Sequence, residues 1–238
     1  MGAGHNPAPK AVIELSGEGP QSTWHVCMYL LAYRDPKMDN SFVSRPVNTS
    51  DRILRAFLDL AGERGLAAAT TKGVAEAAGV NEVTIFRHFR DKDTMALRAV
   101  ERFYPGPRIT GYEVDFDNDT PEAARAGVLA VLQFLRSVLM ESASLVRFSM
   151  TEGFRQEPIR TRMADAPSLA RDLILRALER ARPQLRPEVD LAATALMLQG
   201  LIALPVLLRS HLHQAPGQMG EPHILEAGLR PFFMEATG

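Results

Sequence analysis

Between Asn81 and Lys92 the chain sets Asn81, Glu82, Thr84, Arg87 and His88 at intervals that put them on the outer side of one short helix, with Val83 and Phe86 among them. Such a set can read the edges of nucleic-acid bases. An arginine grips a guanine edge through two donors, an asparagine does the same for adenine, and a threonine methyl suits the methyl of thymine. Upstream, Thr70, Thr71 and Lys72 open another short helical pattern, and Lys92 follows the first; helix-start amides and a cationic tip suit phosphate whatever the base sequence. Any polar surface helix shows similar side chains to water, so these residues alone do not settle the assignment.

The elements around them narrow the choice. From Thr71 to Ala78, Val74, Ala75 and Ala78 make one buried stripe, and Thr70 can cap the free amides. Gly79 can end this helix in the left-handed conformation, and Asn81 can cap the next. In that second helix Ile85 and Phe89 lie one turn apart and pair with Val80 inward. A preceding helix is expected from about Asp51 to Arg64, capped by Thr49 or Ser50 and stopped by Gly65, with Ile53, Leu54, Phe57, Leu60 and Ala61 inward. A following one is expected from Asp91 or Lys92 to about Tyr104, burying Met95, Ala96, Ala99, Val100 and Phe103 before Pro105 and Pro107.

In order and spacing, the run IL, AF, LAGERG, TT, VAEAAGV, N, TIFRHF, DK and M between Ile53 and Met95 resembles the TetR family of bacterial transcription regulators, and the likeness covers about residues 48–103. It implies a DNA-binding role for Thr70, Thr71, Lys72, Asn81, Glu82, Val83, Thr84, Phe86, Arg87, His88 and Lys92. Within that set the chemistry assigns Thr70 and Lys92 to phosphates and Arg87, Thr84 and Asn81 to base edges, with His88 and Phe86 nearer the backbone. Several positions depart from the family pattern. Phe57 and Ala61 trade a large and a small side chain on one helix face, Val83 stands where Gly is frequent, Phe86 where Tyr is frequent, and Asp91 where Ser or Asn is usual. The missing phenol hydroxyl and the added carboxylate bear on affinity more than on fold.

Composition bounds the remainder. The chain has 238 residues, 46% of them hydrophobic, a formal net charge of −1, and its 16 Pro and 17 Gly are scattered. That balance suits a globular protein and announces no polyanion partner, although Arg87, Arg90 and Lys92 cluster at the end of the reading helix. One cysteine, Cys27, excludes an intramolecular disulfide and fits a cytoplasmic location. Residues 1–46 carry early prolines, GEGP and no sustained helical period, apart from the short apolar VCMYLLAY, and read as a flexible extension. Met38 offers an alternative beginning close to the first helix.

Beyond Pro107, DFDND could suggest calcium, but Thr120 and Ala126 occupy the positions that need Gly and Glu, so the aspartates read as a loop before a helix starting at Thr120 or Pro121. Further helices are expected from Pro121 to Met140, Ser144 to Phe154, Glu157 to about Arg182 with a break at Pro167, Pro187 to about His213, and Glu221 to Glu235. The stretch from Leu191 to Leu208 is apolar almost all round. Thr194, Gln199, Gly200 and Pro205 interrupt it and no other segment could serve as a second span, so we read burial against another subunit and no membrane partner. No catalytic motif appears, no cofactor is implied, and His211 with His213 lack further ligands for a metal.

The expected architecture is therefore all-α: an N-terminal three-helix, helix-turn-helix domain over 47–107 and a C-terminal helical effector-binding and dimerisation domain over 108–238. The resemblance implies a repressor that binds a palindromic double-stranded operator as a homodimer through its last two helices and leaves it when a small-molecule effector binds. Phe103, Phe134, Phe148, Phe154, Met163 and Met197 are the expected pocket lining, which would suit an apolar or aromatic ligand. The rival reading is a helical enzyme or lipid- or small-molecule-binding protein that uses the C-terminal cavity and keeps the helix-turn-helix as scaffold.

Overall fold

The computed structural model describes residues 48–152, 155–212 and 222–235, and every regular element among them is helical. The N-terminal extension, Cys27, Phe154 and His213 lie outside the described residues. Helix α1 spans Thr49–Arg64, α2 Thr71–Ala78, α3 Glu82–His88, α4 Lys92–Phe103, α5 Gly106–Thr110 and α6 Pro121–Glu141. Beyond these, α7 spans Ala143–Glu152, α8 Glu157–Met163, α9 Ala166–Arg180, α10 Leu191–Leu212 and α11 Pro222–Leu229.

Most helix ends follow side-chain chemistry. The hydroxyl or carboxylate oxygens of Thr70, Asp91 and Thr120 accept from the backbone N–H three residues on, at 3.0, 2.7 and 3.1 Å. Helix α1 starts earlier than expected, because Asn48 caps it by accepting from Asp51 N at 2.7 Å, which leaves Thr49 and Ser50 inside the helix. Between Glu157 and Arg182 the break falls at Ala164 and Asp165, just before Pro167, which then lies in the first turn of α9 where its missing N–H costs nothing. Helix α10 begins at Leu191 rather than Pro187, since the Asp190 carboxylate accepts from Ala192 N and Ala193 N. The last helix stops at Leu229, and the expected run to Glu235 gives way to a 3-10 turn over Arg230–Phe232 around Pro231.

The buried side chains form two clusters that do not follow chain order. The first joins α1 to α4 with Leu145, Phe148 and Ile159 from α7 and α8. Helix α1 is therefore covered on two sides, by α2 and α4 and by α7, which is why Ala56 and Leu58 are buried as well as the expected stripe. The second cluster gathers α6, α9, α10 and α11, closed by an antiparallel bridge between Leu185 and Phe233. Contrary to the expectation that no segment besides 191–208 could serve as a span, one described helix, α6, is long and apolar enough to cross a membrane; its Val128, Val131, Leu132, Leu135 and Val138 are buried inside the fold.

The stretch between α5 and α6 lies over α6 as a strap. Phe116 sits directly on Gly127, and Arg180 holds the strap by donating to Phe116 O at 2.7 Å and Asp115 Oδ1 at 2.9 Å. An alanine at 127 would improve helix propensity by up to about 1 kcal/mol, but its methyl would occupy the position of the Phe116 ring, an overpacking that costs about 1–3 kcal/mol. Gly127→Ala is therefore expected to be net destabilising. An increase in the urea midpoint would contradict this account.

Candidate nucleic-acid interface

The local geometry of the helix pair follows its sequence. Gly79 has φ 62 and ψ 42, the left-handed cap that turns the chain out of α2, and Asn81 opens α3. Ile85 and Phe89 are buried, Val80 is half-buried against them, and the remainder of α3 except Thr84 is exposed. At about 100° per residue, the pole opposite Ile85 and Phe89 falls between Val83 and Arg87. Val83 is 76% exposed and Phe86, beside it, 58%.

Three contacts hold that pole in place. The Arg52 guanidinium on α1 donates to Ala78 O at 2.5 Å and Gly79 O at 3.2 Å, pinning the turn. Arg102 on α4 pairs with Asp51 through two bonds of 2.8 Å, joining the start of α1 to the end of α4; this guanidinium holds the Asp51 carboxyl below its ordinary range. Phe148 packs edge-on against Phe57, with ring centroids 5.7 Å apart and planes at 70°. Neither arginine was among the expected site residues, and Phe148 was expected as ligand lining rather than as a support of the helix pair. Their only sequence signal was type, two arginines and an aromatic, and each type has many other uses.

Several expected readers are engaged within the protein. Asn81 Oδ1 accepts from Thr84 N at 2.9 Å and from Thr84 Oγ1 at 2.8 Å, and Thr84 is half-buried. The Thr71 hydroxyl donates to the Glu82 carboxylate, bridging the two helices across the turn. Thr70 Oγ1 is the cap acceptor of α2. His88 is exposed, its ring 6.1 Å from that of Phe89. Lys72 and Arg87 are exposed and have no hydrogen-bond or ion-pair partner among the described residues.

Lys92 is half-buried, and its ammonium donates to Leu66 O at 3.2 Å and Ala67 O at 3.5 Å. A third N–H remains for an anion. The N–H of Leu66 is in turn accepted by the buried Glu152 of α7 at 3.3 Å, so the turn after α1 is held from both sides. Lys92→Ala is therefore expected to lower the urea midpoint slightly, to weaken operator and random duplex by similar factors, and to reduce the salt slope by about one. A loss confined to the operator would show that Lys92 touches bases.

Phe154 lies outside the described residues, and the other five expected ligand-lining residues do not gather in one place. Phe103, under the Arg55 guanidinium at 4.7 Å, belongs to the first cluster with Phe148 and Met163. Phe134 stacks on Tyr112 at 4.2 Å in the second cluster, and Met197 is 52% exposed on α10. The reason is the packing of α7 against α1, which carries Phe148 into the helix-turn-helix core. Among the described residues no group of three or more His, Cys, Asp or Glu could hold a metal.

A helix-turn-helix on a capped three-helix frame, with an arginine and a valine at its outward pole, defines the class of the fold: all-α with an N-terminal helix-turn-helix. Residues 53–99 match the model of "Bacterial regulatory proteins, tetR family". This segment thus resembles the N-terminal helix-turn-helix segment of TetR-family transcription regulators. The uncharacterized HTH-type transcriptional regulator YvkB of Bacillus subtilis is 50% identical over 44 residues, 18% of this chain, and the match spans only 23% of that relative. The fold beyond the segment also has counterparts. The ketosteroid transcriptional regulator KstR2 of Mycobacterium tuberculosis superposes with a TM-score of 0.55 at 17% identity, covering 81% of this chain and 99% of that one. A transcriptional regulator from Rhodococcus sp. Rha1 gives 0.54 at 19% identity, over 78% and 96% of the two chains.

Proposed function

We propose that the chain is a cytoplasmic transcriptional repressor that binds a palindromic or near-palindromic DNA operator as a homodimer and releases it when a small apolar or aromatic effector binds. The observation that carries the DNA reading is the outward pole of α3: Arg87 stands without a partner among the described residues on a helix whose opposite face is buried and whose turn is pinned by Arg52. In this reading residues 47–107 read DNA and residues 108–238 bind the effector and dimerise. The two parts share the first cluster through α7 and α8, so a shift of those helices reaches the reading pair directly.

Support for the homodimer comes from α10. Leu196, Met197 and Leu204 are 60%, 52% and 46% exposed on a helix that also carries Gly200, beside which there is open space. A second copy laying α10 and α11 against this face would bury those side chains and set two identical reading helices about a twofold axis, which calls for a symmetric operator. An effector lowers DNA affinity only by binding better to a dimer whose reading helices are wrongly spaced. Phe134 with Tyr112 is the aromatic pair on the effector side of the fold.

A gel shift with purified protein and the duplex upstream of its own coding region tests the reading, and footprinting tests its symmetry. A retarded band in low salt with two matching protected half-sites is expected. No band would favour the helical-enzyme or ligand-carrier reading, and one asymmetric half-site bound by a monomer would remove the dimer.

A further inference from the structure

The side chains free to touch bases are fewer and more apolar than the composition of α3 suggests. Asn81, Thr84 and Glu82 are tied by hydrogen bonds that hold the turn together. Both lone pairs of Asn81 Oδ1 are taken, so gripping an adenine edge through Asn81 would first break those bonds. At the outward pole Arg87 remains, and one turn before it Val83, with Phe86 alongside. A single exposed valine needs no explanation. Here two large apolar side chains, 76% and 58% exposed, adjoin each other on a seven-residue helix that also carries Arg87, a cation with no partner among the described residues. An apolar strip with a cationic border complements the major groove at thymine, whose methyl is the apolar group on the groove floor between two rows of phosphates.

We propose that Val83 is a specificity-determining residue that packs on the 5-methyl group of a thymine within about two base pairs of the guanine gripped by Arg87, a span set by the ~5–6 Å between positions i and i+4 and the ~3.4 Å rise per base pair. This rests on the DNA-reading function proposed above. The β-branched side chain is stiff at χ1 in a helix, so its methyls are held outward with little entropy left to lose. Burying methyl against methyl excludes water that neither group can hydrogen-bond. Phe86 covers one flank of that contact, on the backbone side.

The test uses duplexes enriched by the wild-type protein from a random library and resynthesised with deoxyuridine in place of each thymine in turn. Removing one thymine methyl per half-site should weaken wild-type binding by roughly three- to tenfold. Val83→Ala, at an exposed position where alanine is a good helix former, should fold normally, bind the thymine duplex more weakly by a similar factor and be indifferent to uridine at that position. If every thymine can be replaced without loss, or if Val83→Ala keeps the preference for thymine over uridine, Val83 does not read the methyl although the protein still reads DNA. If the wild-type protein enriches no duplex in low salt, the DNA-reading function fails and this inference with it.

Discussion

Phe148→Ala is expected to lower the unfolding free energy by about 3–5 kcal/mol and to abolish DNA binding at temperatures where the wild-type protein is folded. The residue lies well beyond the matched segment 53–99, yet it is fully buried in the same cluster as Ile53, Phe57 and Met95 and meets Phe57 edge-on. Truncation removes a ring from the centre of the surface on which α1 rests, and the cavity adds to the lost transfer free energy. The loss falls on α1, and α1 carries Arg52, which pins the turn between α2 and α3. Urea unfolding followed by far-UV circular dichroism gives the free energy, and a gel shift on the same samples gives the binding. A loss below about 1 kcal/mol with binding intact would mean that the helix-turn-helix folds independently of α7. A fragment ending at Pro107 is a second measure: without Leu145, Phe148 and Ile159 it should not unfold cooperatively.

Arg87→Ala is expected to cost about 1–3 kcal/mol on operator DNA and far less on random duplex, because a two-donor contact to guanine discriminates by base whereas a phosphate contact does not. Arg87 is exposed and has no partner among the described residues, so its removal should leave stability within about 0.5 kcal/mol of wild type. Titrating both duplexes at several salt concentrations separates the roles. Equal weakening of both, with a salt slope lowered by about one, would make Arg87 a phosphate contact and move the reading face toward Val83 and Phe86.

Lys92 and Arg87 show how a charge in sequence takes its role from what lies opposite. Both were read as cations near DNA. The structure gives Arg87 no partner among the described residues and gives Lys92 two backbone carbonyls at the turn after α1, which no local pattern announces because two helices separate those carbonyls from Lys92 in the chain. The same applies to Asn81. Its capping role was evident from its place before Ile85. That capping would occupy the oxygen expected at an adenine edge followed from geometry, since Thr84 supplies both a backbone N–H and a hydroxyl to one atom.

What the amino-acid order determined was local. The stripe of Val74, Ala75 and Ala78, the left-handed Gly79 and the caps at Thr70, Asn81 and Asp91 depend on residues within one or two turns of each other, so period and capping chemistry place them without knowledge of the rest of the chain. The tertiary structure decided which apolar faces meet. Phe148, Met163 and Phe134 have similar helical patterning around them, and nothing in their spacing says that the first two join the helix-turn-helix core while the third stacks on Tyr112 in the other cluster. Apolar burial is non-directional, so a stripe specifies that a face will be covered and leaves its partner to the packing of the whole chain.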